Sequence, residues 1–144
     1  MKKSVAGIVL MLIMLLGLAS YAAMTKEPIS KSSLSDLKGK WEGWRTIEGS
    51  RDARTELEIY NDTLPLKGKF TLHDVRQKGT KSGTNEVEFD QGKIKDDHFY
   101  FKRGNNELEL SLHKGDGKMK LEGEFQFWGA KGRMTLDKKQ SDSK

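Results

Sequence analysis

The chain has 144 residues, 35% of them hydrophobic and 33% charged, with no cysteine and a formal net charge of +5. That length holds one compact domain, and the composition excludes an integral membrane bundle and a low-hydrophobicity disordered chain. Without cysteine there are no disulfides, no thiolate metal site, no thiol nucleophile and no lipid-modified cysteine of the bacterial lipoprotein kind.

The first element is an apolar leader, residues 1–23. Lys2 and Lys3 precede an uncharged run from Ser4 to Met24, almost wholly aliphatic between Ile8 and Leu18. A positive start, an apolar centre and then the small residues of Ala19-Ser20-Tyr21-Ala22-Ala23 form the secretory pattern. Ser20 and Ala22 suit the −3 and −1 positions of signal peptidase, so cleavage is expected after Ala22. The competing expectation is an uncleaved anchor helix, because residues 4–24 are long enough to cross a ~30 Å hydrocarbon core. Either way the remainder leaves the cytoplasm, for the periplasm or the extracellular space. Lys2 and Lys3 supply two of the net positive charges, and the remaining charges are interspersed in sign. Nucleic-acid binders concentrate positive charge on one face, so no nucleic-acid partner is expected.

Residues 24–38 read as a linker. Thr25 to Ser35 is rich in Ser and Lys and contains Pro28, the composition of a tether, and Ser35-Asp36-Leu37-Lys38 suits one helical turn. From Lys40 the period becomes two. In the clearest case Met119, Leu121, Gly123, Phe125 and Phe127 share one parity, against Lys118, Lys120, Glu122, Glu124 and Gln126. Such alternation marks strands with one dry face and one wet face. Strands are predicted at 40–48, 54–61, 66–75, 86–90, 92–96, 98–103, 107–114, 118–128 and 132–138, with 86–96 readable as one bent strand. Gly104-Asn105-Asn106, Gly115-Asp116-Gly117 and Gly129-Ala130 are hairpin connectors, which force antiparallel neighbours. A sheet this long with one apolar face must close on itself. The expectation is an all-β fold, an antiparallel up-and-down β-barrel of about eight strands over residues 39–138, followed by a polar tail at 139–144.

The opening of this domain, Leu37-Lys38-Gly39-Lys40-Trp41-Glu42-Gly43, resembles the Gly-x-Trp start of the lipocalin and avidin-like (calycin) barrels. The resemblance spans about 100 residues in pattern, although its motif is only three residues long. It implies that Gly39 and Trp41 close the barrel floor beneath a short helical turn. It also implies that a basic residue of the last strand covers the tryptophan as a cation–π partner, and Arg133 is the position that matches. Met134 and Leu136 take the inward parity, so Arg133 reaches the ring only through a bulge. An ordinary core aromatic is the other reading of Trp41.

The chemistry-bearing residues fall on the wet face. His73, His98 and His113 lie there, near Asp74, Asp96 and Asp97, without the HxH or HxxxH spacing of a metal site. Glu109 is expected opposite Glu122 or Glu124 in the 107–124 hairpin. Facing carboxylates can raise a pKa, but a solvated outer sheet offers no cleft that excludes water. No nucleophile elbow, phosphate loop or dinucleotide fingerprint occurs. Neither an enzyme nor a cofactor or metal is expected.

The dry face carries Phe70, Phe89, Phe99, Phe101, Phe125 and Phe127, all six phenylalanines of the chain. The expected function is an exported lipocalin-like carrier of a small apolar ligand. Phe70, Leu72, Phe99, Phe101, Leu110, Phe125 and Phe127 would line its cavity, with Asp74, Arg103 and Asn61 at a polar rim. The alternative is a non-catalytic envelope module with a filled core, binding a protein or glycan through the outward aromatics Trp44, Tyr60, Tyr100 and Trp128.

Overall fold

The computed structural model describes residues 23–47, 52–75 and 83–140. Residues 1–22 of the expected leader and 141–144 of the expected tail lie outside the described residues. Among the described residues no helix is long and apolar enough to cross a membrane.

The alternating segments become strands, and the strands close into an antiparallel eight-stranded barrel. In chain order they are β1 (Thr25–Glu27), a 3-10 turn (Lys31–Ser33), helix α1 (Leu34–Leu37), β2 (Gly39–Ile47), β3 (Ala53–Ile59), β4 (Leu66–Val75), β5 (Gly83–Lys95), β6 (His98–Arg103), β7 (Asn106–Gly115), β8 (Lys118–Phe127) and β9 (Ala130–Lys138). From β2 onward each strand pairs with the next, and β9 returns to pair with β2, Trp44 facing Thr135 and Arg45 facing Met134. Closure removes the sheet edges that would otherwise be left unpaired.

Two register shifts shape the wall. In β5 the pairs Leu66–Gly92 and Gly68–Phe89 leave one extra residue on β5. Inward positions accordingly change from Val87 and Phe89 to Gly92 and Ile94. Segments 86–90 and 92–96 are therefore one bent strand, with a bulge where a connector was also readable. In β4 the shift lies between Leu72 and Val75, and Asp74 sits there at φ +54°. Asp tolerates that left-handed conformation better than most residues. The tight turns follow the same chemistry: Asp96-Asp97 and Asp116-Gly117 both have positive φ. The β8–β9 turn is Trp128-Gly129 rather than Gly129-Ala130, with Ala130 already in β9.

The interior is filled. All six phenylalanines are at most 4% exposed. Their ring centroids lie 5.4 to 6.2 Å apart from Phe99 through Phe89, Phe101 and Phe70 to Phe127 and Phe125. An eight-stranded barrel is just wide enough for its own side chains, and here the rings occupy that space. Phe70, Phe99, Phe101 and Leu110, expected as cavity lining, all belong to the buried hydrophobic core.

One end of the barrel is sealed. Residues 24–38 are part of the fold, not a tether: β1 pairs with β7 at Lys26–His113, on the flank that β6 has vacated. Ile29, Leu34 and Leu37 are buried beneath the strands, and the Ile29 N–H donates to the Asp97 carbonyl at 3.0 Å. Three apolar side chains hidden in a Ser/Lys-rich stretch make this segment the plug. Gly39 takes φ +116°, open in practice only to glycine, where the chain turns from α1 into β2. Trp41 then sits 1% exposed on the floor and donates Nε1–H to the Leu37 carbonyl at 2.8 Å.

The cation over the tryptophan ring is Lys138, its Nζ 5.2 Å from the centroid, and not Arg133. No bulge intervenes in β9, so 134, 136 and 138 all turn inward, while Arg133 stays outside, pairing with Glu124 at 3.6 Å. Lys138 also donates to the Asp36 carbonyl. Burial pushes its pKa down, against the pull of Asp36. Lys114 completes the floor, bound to Asp36 at 2.8 Å and Glu27 at 3.2 Å, and the Asp36 hydrogen bond pushes its pKa up.

Candidate functional site: the open end of the barrel

At the opposite end no helix or strand among the described residues acts as a plug. The described ends of β2, β4, β6 and β8 and the starts of β3, β5, β7 and β9 meet there. Between them lies a cleft of about 220 Å³, lined by Arg45, Ile47, Ala53, Leu72, Asp74, Val75, Phe125, Phe127, Trp128 and Ala130. Its floor is the top of the phenylalanine stack, so the alternation that fills the core also makes an apolar base for the cleft.

Trp128 stands over this cleft. It is 54% exposed, and its ring lies 6.2 Å from that of Phe127. Its backbone has φ +47°, a conformation bulky residues rarely adopt. Its N–H is fixed by the Asn106 side-chain oxygen at 3.0 Å. Strain of this kind collects at functional sites, and a glycine would relieve it.

Arg45 is the polar element at the base. It takes the inward parity of β2 after Trp41 and Gly43, and is 2% exposed. Nη1 donates to the Arg54 carbonyl at 2.8 Å and to Thr55 Oγ1 at 3.0 Å, and Nη2 donates to the His73 carbonyl. Burial pushes the guanidinium pKa down, and the neighbouring charge of Asp74 acts in the opposite sense. Arginine keeps its proton under such conditions. The sequence reading missed Arg45, although a charged residue at an inward position was a signal in its own right.

The other expected rim residues separate. Asp74 reaches the open end. Arg103 is there too, but exposed, donating to the Glu88 carbonyl at 3.3 Å. Asn61 lies at the sealed end, where it orders the β3–β4 connection through the Thr63 and Pro65 carbonyls and the Lys67 N–H, at 2.8 to 3.0 Å.

The wet face is a lattice of cross-strand pairs. His73 meets Glu56 at 3.3 Å, His98 meets Glu109 at 2.6 Å and His113 meets Glu122 at 3.6 Å. Glu109 stands opposite Glu124 in the ladder, yet each has its own cationic or imidazole neighbour. Among the described residues no group of three or more His, Asp or Glu is placed to hold a metal. A shallow groove of about 770 Å³ crosses the outside of β7, β8 and β9, lined largely by such charged and polar side chains.

The outward aromatics do not form a patch. Trp44 is on the outside of β2, Tyr60 follows β3 at the sealed end, and Trp128 is at the open end. Tyr100 is 8% exposed on β6, across the barrel from β2, and its hydroxyl donates to Glu107 at 2.8 Å. That hydrogen bond is the main reason the Glu107 pKa is held below the ordinary carboxylate value. A depressed carboxylate pKa contributes stability above the unfolded value and loses it as pH falls through the folded one. Tyr100→Phe is therefore expected to lower the urea midpoint at neutral pH, with the gap from wild type closing in acid. An equal gap at both pH values would contradict the assignment.

Compared with known proteins, the chain matches no family model, no curated protein and no solved structure.

Proposed function

We propose that the chain is an exported, non-catalytic barrel of the calycin type whose open end takes up one small, largely apolar molecule. The leader pattern supports export. The Gly39-Lys40-Trp41 floor with Lys138 over the ring supports the kinship. The observation that carries the binding reading is the apolar cleft above the phenylalanine stack, overhung by the strained Trp128. At about 220 Å³ it is smaller than the ~300–1,000 Å³ of most ligand pockets. The occupant is thus a compact molecule, or one that inserts a single end onto Leu72, Phe125 and Phe127. Among the described residues the six phenylalanine rings pack against one another below this cleft, which favours a shallow seat over a deep calyx.

The test is a titration of the protein, purified without detergent from cells expressing the full chain, with the apolar fluorophore N-phenyl-1-naphthylamine. Saturable enhancement with one site is expected, and Trp128→Ala should weaken it by about tenfold, the cost of truncating one aromatic anchor. Non-saturable binding, or binding indifferent to Trp128→Ala, would overturn the reading.

A further inference from the structure

Among the described residues, Arg45 is a buried charge held only by neutral groups. Its three acceptors, the Arg54 and His73 carbonyls and the Thr55 hydroxyl, are all neutral. Among the described residues no carboxylate comes within ion-pair distance of it. Asp74 acts on it only through space, and its own side chain is exposed at the β4 bulge. Burying a cation without a counter-charge is costly, and buried charges in folded proteins are ordinarily paired. Yet this one is 2% exposed and forms part of the wall of an otherwise apolar cleft.

We infer that the molecule taken up at the open end is a monocarboxylate with a short apolar body, its carboxylate received by Arg45 and its body resting against Phe125, Phe127 and Trp128. A guanidinium presents parallel N–H donors that match a carboxylate, and the low-dielectric surroundings strengthen the contact. The neutral carbonyls hold the side chain in place without consuming its charge, so the site is preorganised for an anion. Its small volume excludes a second large polar group. This inference rests on the open-end cleft being the ligand site.

Octanoate and octanol share a tail and differ in the head group, so competition of each against N-phenyl-1-naphthylamine isolates the role of Arg45. For the wild type, octanoate should displace the probe at a concentration about tenfold or more below that of octanol, the worth of one charge-assisted contact. Arg45→Met should abolish that preference. Because its loss leaves three acceptors unsatisfied at a buried site, Asp74→Asn serves as a second variant that keeps the fold. Removing the exposed negative charge beside the guanidinium should shift the ratio further toward octanoate. Equal displacement by octanoate and octanol, or an Asp74→Asn ratio unchanged or shifted toward octanol, would overturn the anion assignment while the apolar site stands. Failure of the fluorophore itself to bind would overturn both.

Discussion

Trp41→Ala is expected to destabilise the barrel by about 3–5 kcal/mol, the range for removing a buried Trp or Phe ring. Three losses combine at this position. The ring is 1% exposed and supports α1 from below, so its removal leaves a cavity that a closed sheet cannot collapse around. The Leu37 carbonyl loses its indole N–H partner. Lys138, already burdened by burial, loses the aromatic face beneath its ammonium. Since small domains are stable by only about 5–15 kcal/mol in total, a large unfolded fraction should be visible in urea or thermal melts. Trp41→Phe should cost less, because it keeps most of the volume and gives up mainly the hydrogen bond. A Trp41→Ala cost below about 1 kcal/mol, the level of an ordinary mutation, would show that the floor is not a keystone.

The second large effect is expected at Gly123. A Cβ built there would lie within covalent-like range of the Glu109 carbonyl oxygen and 2.9 Å from its carbon, both backbone atoms of β7. Neither can swing away as a side-chain tip would. Gly123→Ala must therefore push β8 off β7 along a ladder that runs from Glu107 to Lys118. Overpacking of this kind costs about 1–3 kcal/mol, more where backbone must move, and a value of about 3 kcal/mol or above is expected. Gly83→Ala is the control. Nothing lies within 4 Å of its added carbon, so a change within about 0.5 kcal/mol is expected. Equal effects at both positions in denaturant titrations would refute the close-approach argument. The β7 backbone comes so close at Gly123 that this one position has no room for a side chain, a known use of glycine within strands.

The parity of side chains carried most of the architecture in the sequence. Period-two alternation set Phe70, Phe99, Phe101, Phe125 and Phe127 on one face, and a long one-sided sheet has few ways to hide that face. Hairpin turns between neighbours fixed the order. Parity also contained two facts that were not drawn from it. Continuing inward from Trp41 through Gly43 leads to Arg45, and continuing from Met134 and Leu136 leads to Lys138. A family pattern pointed instead to Arg133, whose direction the strand geometry forbids. What local sequence does not contain is the reason Arg45 can be buried. Its acceptors lie on β3 and β4, 9 to 28 residues away, and only the closed wall brings them together. The same holds for residues 24–38, whose Ser and Lys content outweighs Ile29, Leu34 and Leu37 until the underside of the barrel offers them a place. Cleft volume is likewise a property of how six rings settle against one another, which no alternation specifies.

The path of the chain has a practical consequence for orientation. β1 enters beside Lys114, and β9 leaves at Lys138 over the tryptophan, so the main chain arrives and departs on the plugged side. A support bound directly to the plugged side, beside Thr25 or Lys138, would leave the Trp128 side facing away from it and free to meet solutes.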